Sequence, residues 1–142
     1  MGTERSWNLI FISWFVASVA TLGSLFFSEV MKYPPCVLCW YQRICMYPLV
    51  VILLLGLFPL DGKVLRYASP LALIGAGVAS YHNLLYYKIL PQSAAPCSQG
   101  VSCTSVHIEW FGFVTIPLLS LVAFGSILVL HLFAYRSYRH EK

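Results

Sequence analysis

The sequence predicts an all-α membrane protein: a four-transmembrane-helix bundle, N-in/C-in, with two short outer loops that each carry a cysteine pair. Three observations predict it. The 142 residues are 59% hydrophobic and only 10% charged, and the mean hydropathy of +0.76 is far above that of a soluble domain. Four runs, Asn8 to Phe27, Ile44 to Leu60, Tyr67 to Tyr87 and Gly112 to Ala134, contain no Asp, Glu, Lys or Arg. Each approaches or exceeds the roughly 20 residues that a helix needs to cross a bilayer core. The residues left between the runs are too few for a water-soluble domain. A single integral membrane domain, 1–142, is expected, with spans of about 8–27, 40–60, 67–87 and 112–134 and outer loops of about 28–39 and 88–111.

The first run follows Arg5 and contains Ser18-Val19-Ala20, which resembles a signal cleavage site. Its apolar stretch continues to Phe27, longer than the roughly 7 to 15 residues of a signal-peptide core, so it reads as a retained helix. Before the second run, Pro34-Pro35 discourages helix, so that helix is expected to start near Cys39. Pro48 in the second run and Pro117 in the fourth each remove a backbone donor and are expected to kink their helices. Asp61-Gly62 signals a tight inner turn through Arg66. The third run sets Ala72, Ala76 and Ser80 on one face with Gly75 and Ala79 beside them, the small residues that let helices approach closely in lipid. Val106 to Phe111 alternates polar and large apolar residues, as a segment lying along the surface would. Trp40, Tyr86, Tyr87 and Trp110 fall near the outer boundary as an aromatic belt. No internal repeat or low-complexity segment is present.

Four spans put both termini on one side. Taking that side as the cytoplasm, inner segments hold Arg5, Lys63, Arg66, Arg136, Arg139 and Lys142, while outer segments hold only Lys32, Arg43 and Lys88. The excess follows the positive-inside rule. Cys36, Cys39, Cys97 and Cys103 then face the oxidising compartment, where disulfides persist. Cys45 alone lies inside a helix and reads as a packing residue.

The stretch Pro34-Pro35-Cys36-Val37-Leu38-Cys39-Trp40-Tyr41-Gln42-Arg43 sets a two-cysteine pair at the lip of the second helix. A C-x-x-C pair is open to a disulfide, a metal clip or a redox couple. Its thiolate would attack other disulfides, and a helix N-terminus stabilises an anion. Arg43 lies one turn beyond Cys39, where its charge is expected to lower the Cys39 thiol pKa. A cation sunk one turn into a membrane helix needs a partner or a task. His82 lies five residues, roughly 7 to 8 Å, below the outer end of the third run, at a depth similar to that of Arg43. If the second and third helices pack together, an arginine, a histidine and a thiolate meet in a pocket suited to quinone carbonyl oxygens. A packed histidine satisfied by a neighbouring helix gives the same sequence.

Cys97 and Cys103 enclose Ser98-Gln99-Gly100-Val101-Ser102, a short loop of small and polar residues that can close without a rigid scaffold and is reachable by a soluble protein. With C-V-L-C-W-Y-Q-R opening the second of four helices and a second outer cysteine pair, the chain resembles the DsbB/BdbC family of disulfide bond formation proteins. The short C-x5-C loop and the following W-F-G-F-V-T-I-P-L-L-S are most similar to the BdbC branch, and the resemblance covers nearly the whole chain. It implies a thiol:quinone oxidoreductase of the bacterial cytoplasmic membrane whose cysteine loops lie on the extracytoplasmic side. It implies as partner an extracytoplasmic thioredoxin-fold thiol oxidase, reoxidised by the loop pair, with electrons passing on to menaquinone or ubiquinone in the membrane quinone pool. Carried over by position, Cys39 stands next to the quinone and Arg43 holds it. Cys36 exchanges with the second loop, Cys97 is attacked by the oxidase and Cys103 relays. The resting disulfides would be Cys36–Cys39 and Cys97–Cys103. Better-known DsbB members space the second pair more widely, and His82 lies outside the matched motif, so its place rests on depth alone. No nucleic-acid partner is expected.

Three other readings compete. A quinone enzyme of the vitamin K epoxide reductase type carries its quinone-side pair in a late span, whereas here the pair opens the second. A metal site from Cys36, Cys39, Cys97, Cys103 and His107 would join a usual zinc half-site to an unusual C-x5-C half. A scaffold merely stapled by outer disulfides would not need Cys39 for any activity.

Overall fold

The structure is a computed structural model that describes residues 2–96, 109–110 and 114–140. Among them are four long helices: α1 (Gly2–Leu25), α2 (Val37–Leu57), α3 (Val64–Tyr86) and α4 (Ile116–His140). Each packs against its chain neighbours, and α1 closes the ring on α4. α1 with its π-helical extension, α2 and α4 are long and apolar enough to cross a membrane. The fourth expected span, α3, has the length, 23 residues, but falls short in hydropathy. Its sequence spends positions on Ala, Gly, Ser, His82 and Asn83, because it packs between α2 and α4 and lends polar groups to the end that carries Cys36 and Cys39.

In lipid a helix must satisfy its polar groups internally. Some serines do so by turning back on their own helices: Ser13 Oγ donates to the Leu9 carbonyl at 3.0 Å and Ser18 Oγ to that of Trp14 at 2.8 Å. Large apolar side chains stay outside, Leu22 at 66%, Leu55 at 69% and Leu73 at 64% exposure, as for a lipid-facing surface. Within the ring, Leu49 and Leu53 of α2 meet Phe124 and Ile127 of α4 and the small residues of α3.

The buried line on α3 runs Ala68, Ala72, Gly75, Ala79 and His82. It keeps the expected Ala72, Gly75 and Ala79, whereas Ser80 is exposed and bonds back to Ala76. A Cβ on Gly75 would stand 2.2 Å from the Phe124 ring, so this glycine sets the approach of α3 to α4. Asn83 Nδ2 adds a cross-link, donating to the Pro117 carbonyl at 2.9 Å.

Helix boundaries follow local chemistry. α2 starts at Val37, earlier than expected, because Cys36 directly after Pro35 is already the extended N-cap (φ −78°, ψ 173°). Pro48 lies inside α2 as expected. Pro117 occupies the first turn of α4, where its missing N–H removes no intrahelical bond, so it opens the helix instead of kinking it. α4 therefore begins later than the expected span. Before it, β1 (Glu109–Trp110) pairs antiparallel with β2 (Val114–Thr115). Of the segment expected to lie along the surface, only these two residues of β1 fall within the described chain. The tight turn at Asp61-Gly62 forms as expected: Asp61 Oδ1 accepts from the Lys63 amide at 2.9 Å, and Gly62 sits so close to Tyr138 that a Cβ would be 2.7 Å from its ring. α3 ends in a Schellman motif, Lys88 N–H to the Leu85 carbonyl at 3.1 Å and Ile89 N–H to that of Leu84 at 3.0 Å, with Lys88 left-handed at φ 59°. Of the aromatic belt, Trp40 and Tyr87 are exposed, at 53% and 46%, and Tyr86 packs edge-on against Tyr87.

Gly75→Ala is expected to lower thermal stability in detergent by about 1–3 kcal/mol through overpacking. Gly77→Ala, whose added Cβ meets nothing within 4 Å, is expected to raise it by up to about 1 kcal/mol through helix propensity; equal effects of the two would remove the packing role given to Gly75.

Candidate functional site

The double proline keeps Cys36 out of helix and α2 winds immediately after it, so the two cysteines straddle the first turn. Their Sγ atoms lie 3.3 Å apart, as a free dithiol. Cys36, 6% exposed, sits in an apolar cluster with Leu38 and Leu85, against which Leu90 and Ala95 of the segment after α3 also pack. Ala95 is held near by the Tyr81 hydroxyl of α3, which donates to the Ala94 carbonyl. Cys97 follows two residues later; Cys97, Cys103 and His107 lie outside the described residues, as does the side chain of Trp110.

His82, 2% exposed, meets the pair from α3. Its Nε2 is 3.9 Å from Cys36 Sγ, and its Nδ1 is 3.1 Å from Gln42 Nε2. Gln42 Oε1 in turn accepts from Ser120 Oγ of α4 at 2.7 Å. A buried polar line thus joins three helices behind the cysteines. Sequence reasoning missed Gln42 and Ser120. The usable signal for Gln42 was an amide between Cys39 and Arg43 on a helix crossing lipid, a position that demands a partner.

Arg43 turns the other way. Its Nε donates to Ser24 Oγ at 2.9 Å and its Nη2 to the Ser24 carbonyl at 3.0 Å, and its guanidinium carbon stands 5.4 Å over the Trp40 ring. The expected meeting of arginine, histidine and thiolate in one pocket therefore separates into two sides. His82 backs Cys36, while Cys39, Gln42, Arg43 and Ser120 line a cavity of about 510 Å³ between α1, α2 and α4. The rest of its wall is mostly apolar, from Phe15, Val16 and Val19 of α1 to Leu119 and Val122 of α4.

The lowered thiol lies outside the helix. Cys36 is pulled down to about 4, first by the hydrogen bond from Cys39 and then by His82, against the opposing effect of burial. Arg43 shares the cavity wall with Cys39, and Ser24 across the helix boundary binds its fork. The Sγ atoms of Cys36 and Cys39 and a His82 ring nitrogen all lie within 4.8 Å of one another. A structural zinc closes with four protein ligands, and three such donors are present among the described residues.

A thiolate under a histidine, beside a second thiol that lines an apolar cavity, is equipped for disulfide exchange. The family model described as disulfide bond formation protein DsbB matches residues 4–134. The chain belongs to the DsbB family. This DsbB-family protein is 48% identical over 120 residues to disulfide bond formation protein C of Bacillus subtilis (strain 168), covering 84% of the chain and 87% of the relative. It is 47% identical to a probable disulfide formation protein of Metapseudomonas resinovorans (88% of each chain). It is 46% identical to probable disulfide formation protein C of Halalkalibacterium halodurans (91% and 94%). No solved structure matches it. As a DsbB-family protein the chain is a thiol oxidoreductase of disulfide bond formation.

The Cys36 thiolate of the reduced protein is expected to persist down to about pH 4, read as the ultraviolet thiolate absorbance lost in Cys36→Ser. Cys39→Ala should raise the midpoint most and His82→Ala less. Because the folded value lies below the ordinary 9.0, ionisation stabilises the reduced fold fully above that value, and this contribution disappears as pH falls towards about 4. A midpoint near the ordinary thiol value would contradict the geometry.

Proposed function

We propose that the protein is a thiol:quinone oxidoreductase. It would reoxidise an extracytoplasmic thioredoxin-fold thiol oxidase and pass the electrons to menaquinone or ubiquinone in the bacterial cytoplasmic membrane, so supporting disulfide formation in exported proteins. The observation that carries this reading is the division of the pair: Cys39 lines the cavity, whereas Cys36 is buried in the apolar cluster on which the segment leading to Cys97 packs. On this reading all four helices cross the membrane, both termini lie in the cytoplasm and both cysteine pairs lie outside.

The residues present fit a quinone. The cavity volume lies in the ordinary range of ligand sites, about 300–1,000 Å³. Its outer end gathers a thiol, an arginine, a glutamine and a serine, and its apolar wall suits an isoprenoid tail. Arg43 would hold a carbonyl oxygen there with guanidinium N–H groups that Ser24 does not use. His82 is outside the lining and acts on Cys36. When bound, the quinone accepts two electrons and two protons.

The route balances as successive exchanges. The oxidase dithiol reduces Cys97–Cys103 through a mixed disulfide at Cys97. The resulting dithiol attacks Cys36 of the Cys36–Cys39 disulfide through Cys103, restoring the loop disulfide and leaving Cys36 as thiolate. Cys39 then delivers the pair's two electrons to the cavity as Cys36–Cys39 reforms.

With purified protein, a water-soluble quinone and a reduced thioredoxin-fold oxidase, the wild type is expected to bleach quinone absorbance catalytically, and Cys39→Ser and Cys97→Ser to be inactive. Quinone untouched by wild type, with thiols oxidising only in air or added metal, would end this reading. Loss of the charge-assisted bond in Arg43→Met should raise the KM for quinone roughly 10- to 100-fold, measured from initial rates; an unchanged KM would take the carbonyl away from Arg43.

A further inference from the structure

Gln42 is an amide with 7% exposure on an apolar helix, bonded at one end to α3 and at the other to α4. We propose that Gln42 is a positioning residue: it donates to His82 Nδ1 while Ser120 fixes its carbonyl, and so holds the ring as the tautomer that presents Nε2–H to Cys36. The role goes beyond the assigned chemistry of the two cysteine pairs, and rests on the thiol–quinone reading only for the use made of the stabilised sulfur.

A neutral imidazole has one donor and one acceptor nitrogen, and the partner of one nitrogen decides the role of the other. Gln42 Nε2 carries only hydrogens, so Nδ1 at 3.1 Å must accept, and the ring proton is left on Nε2, 3.9 Å from Cys36 Sγ. All the donors then run in one direction: Ser120 hydroxyl to Gln42 carbonyl, Gln42 amide to Nδ1, Nε2–H to sulfur. Each bond polarises the next towards the thiolate. The reverse orientation would set the bare Nε2 lone pair against an anion.

Few charges compete. α2, α3 and α4 carry no Asp or Glu. Arg43, the cation next to Gln42 in sequence, is taken by Ser24 of α1. At the start of α2 the titratable groups facing the ring are the N-cap Cys36 and, in the first turn, Cys39, and α4 reaches it through Ser120 and Gln42. When Cys36–Cys39 forms, the Cys36 thiolate and the Cys39 thiol give up two electrons to the quinone, which would take the Cys39 proton and a second proton from water. The histidine is placed as a donor to the Cys36 sulfur.

The test uses the full chain, reduced, in detergent micelles, with isotope-labelled histidine. The imidazole nitrogen shifts of His82, assigned by loss in His82→Ala, are expected to show a protonated Nε2 and a bare Nδ1. Gln42→Met should convert that pattern to a tautomer mixture and raise the Cys36 thiolate midpoint by about one pH unit, the worth of one hydrogen bond. Ser120→Ala, which removes a single hydroxyl, should shift both readouts the same way by less, and it decides the matter if Gln42→Met does not fold. A protonated Nδ1 in the wild type, or both readouts unmoved in Ser120→Ala and in any folded Gln42→Met, overturns the assignment. Neither readout needs quinone or an oxidase, so this inference and the proposed electron route fail separately.

Discussion

Two consecutive prolines determine where α2 begins, and the cysteine-bearing end of the bundle is arranged around that start. Because Pro34-Pro35 cannot lead into helix and Cys36 follows at once, the first sulfur is held by extended chain and the second by the first helical turn. The pair therefore faces two ways. Cys36 looks across to α3 and the cluster on which the following segment packs, and Cys39 looks into the cavity shared with α1 and α4. Moving the helix start by one residue would rotate Cys39, Gln42 and Arg43 by about 100° and separate them from the cavity, the histidine and Ser24 together.

Behind that start, the division between small and polar residues decides which helix does what. α1, α2 and α4 keep their apolar surfaces outward, while α3 trades hydropathy for Ala72, Gly75 and Ala79, which bring it close to α4. The close approach is what allows Asn83 to reach Pro117, and on the neighbouring interface it brings His82 onto Cys36. Packing in the middle of the bundle and chemistry at its end are thus one arrangement, with Gly75 against Phe124 at its narrowest point.

Much of this was legible beforehand. Runs free of charge located α1, α2 and α4, and the C-x-x-C-x-x-x-R element located the site and pointed to the family. α3 was visible as a run, but counting charges overlooked how far its small and polar residues lower its hydropathy. Pro117 was read as a kink because run length places a helix start only loosely, and a proline in the first turn is indistinguishable in sequence from one inside. Arg43 was paired with Cys39 by helical adjacency, which carries no information about Ser24, nineteen positions earlier on another helix. Gln42 escaped notice because an uncharged amide gives no sign of cost until its neighbours from α3 and α4 are known.

The bond from Tyr81 to the Ala94 carbonyl pins the segment after α3 at its root, with Ala95 packed on the cluster that holds Cys36. Whatever the conformation beyond it, covalent geometry keeps the Cys97 Cα within about 7 Å of that of Ala95. Exchange between the two pairs on the proposed route is then a tethered reaction: Cys103, which attacks Cys36, follows Ala95 by eight positions, and its effective concentration is set by that leash and not by diffusion of separate molecules. The oxidase must be met from solution, but the hand-over that follows is unimolecular, and its rate is independent of how much protein the membrane holds.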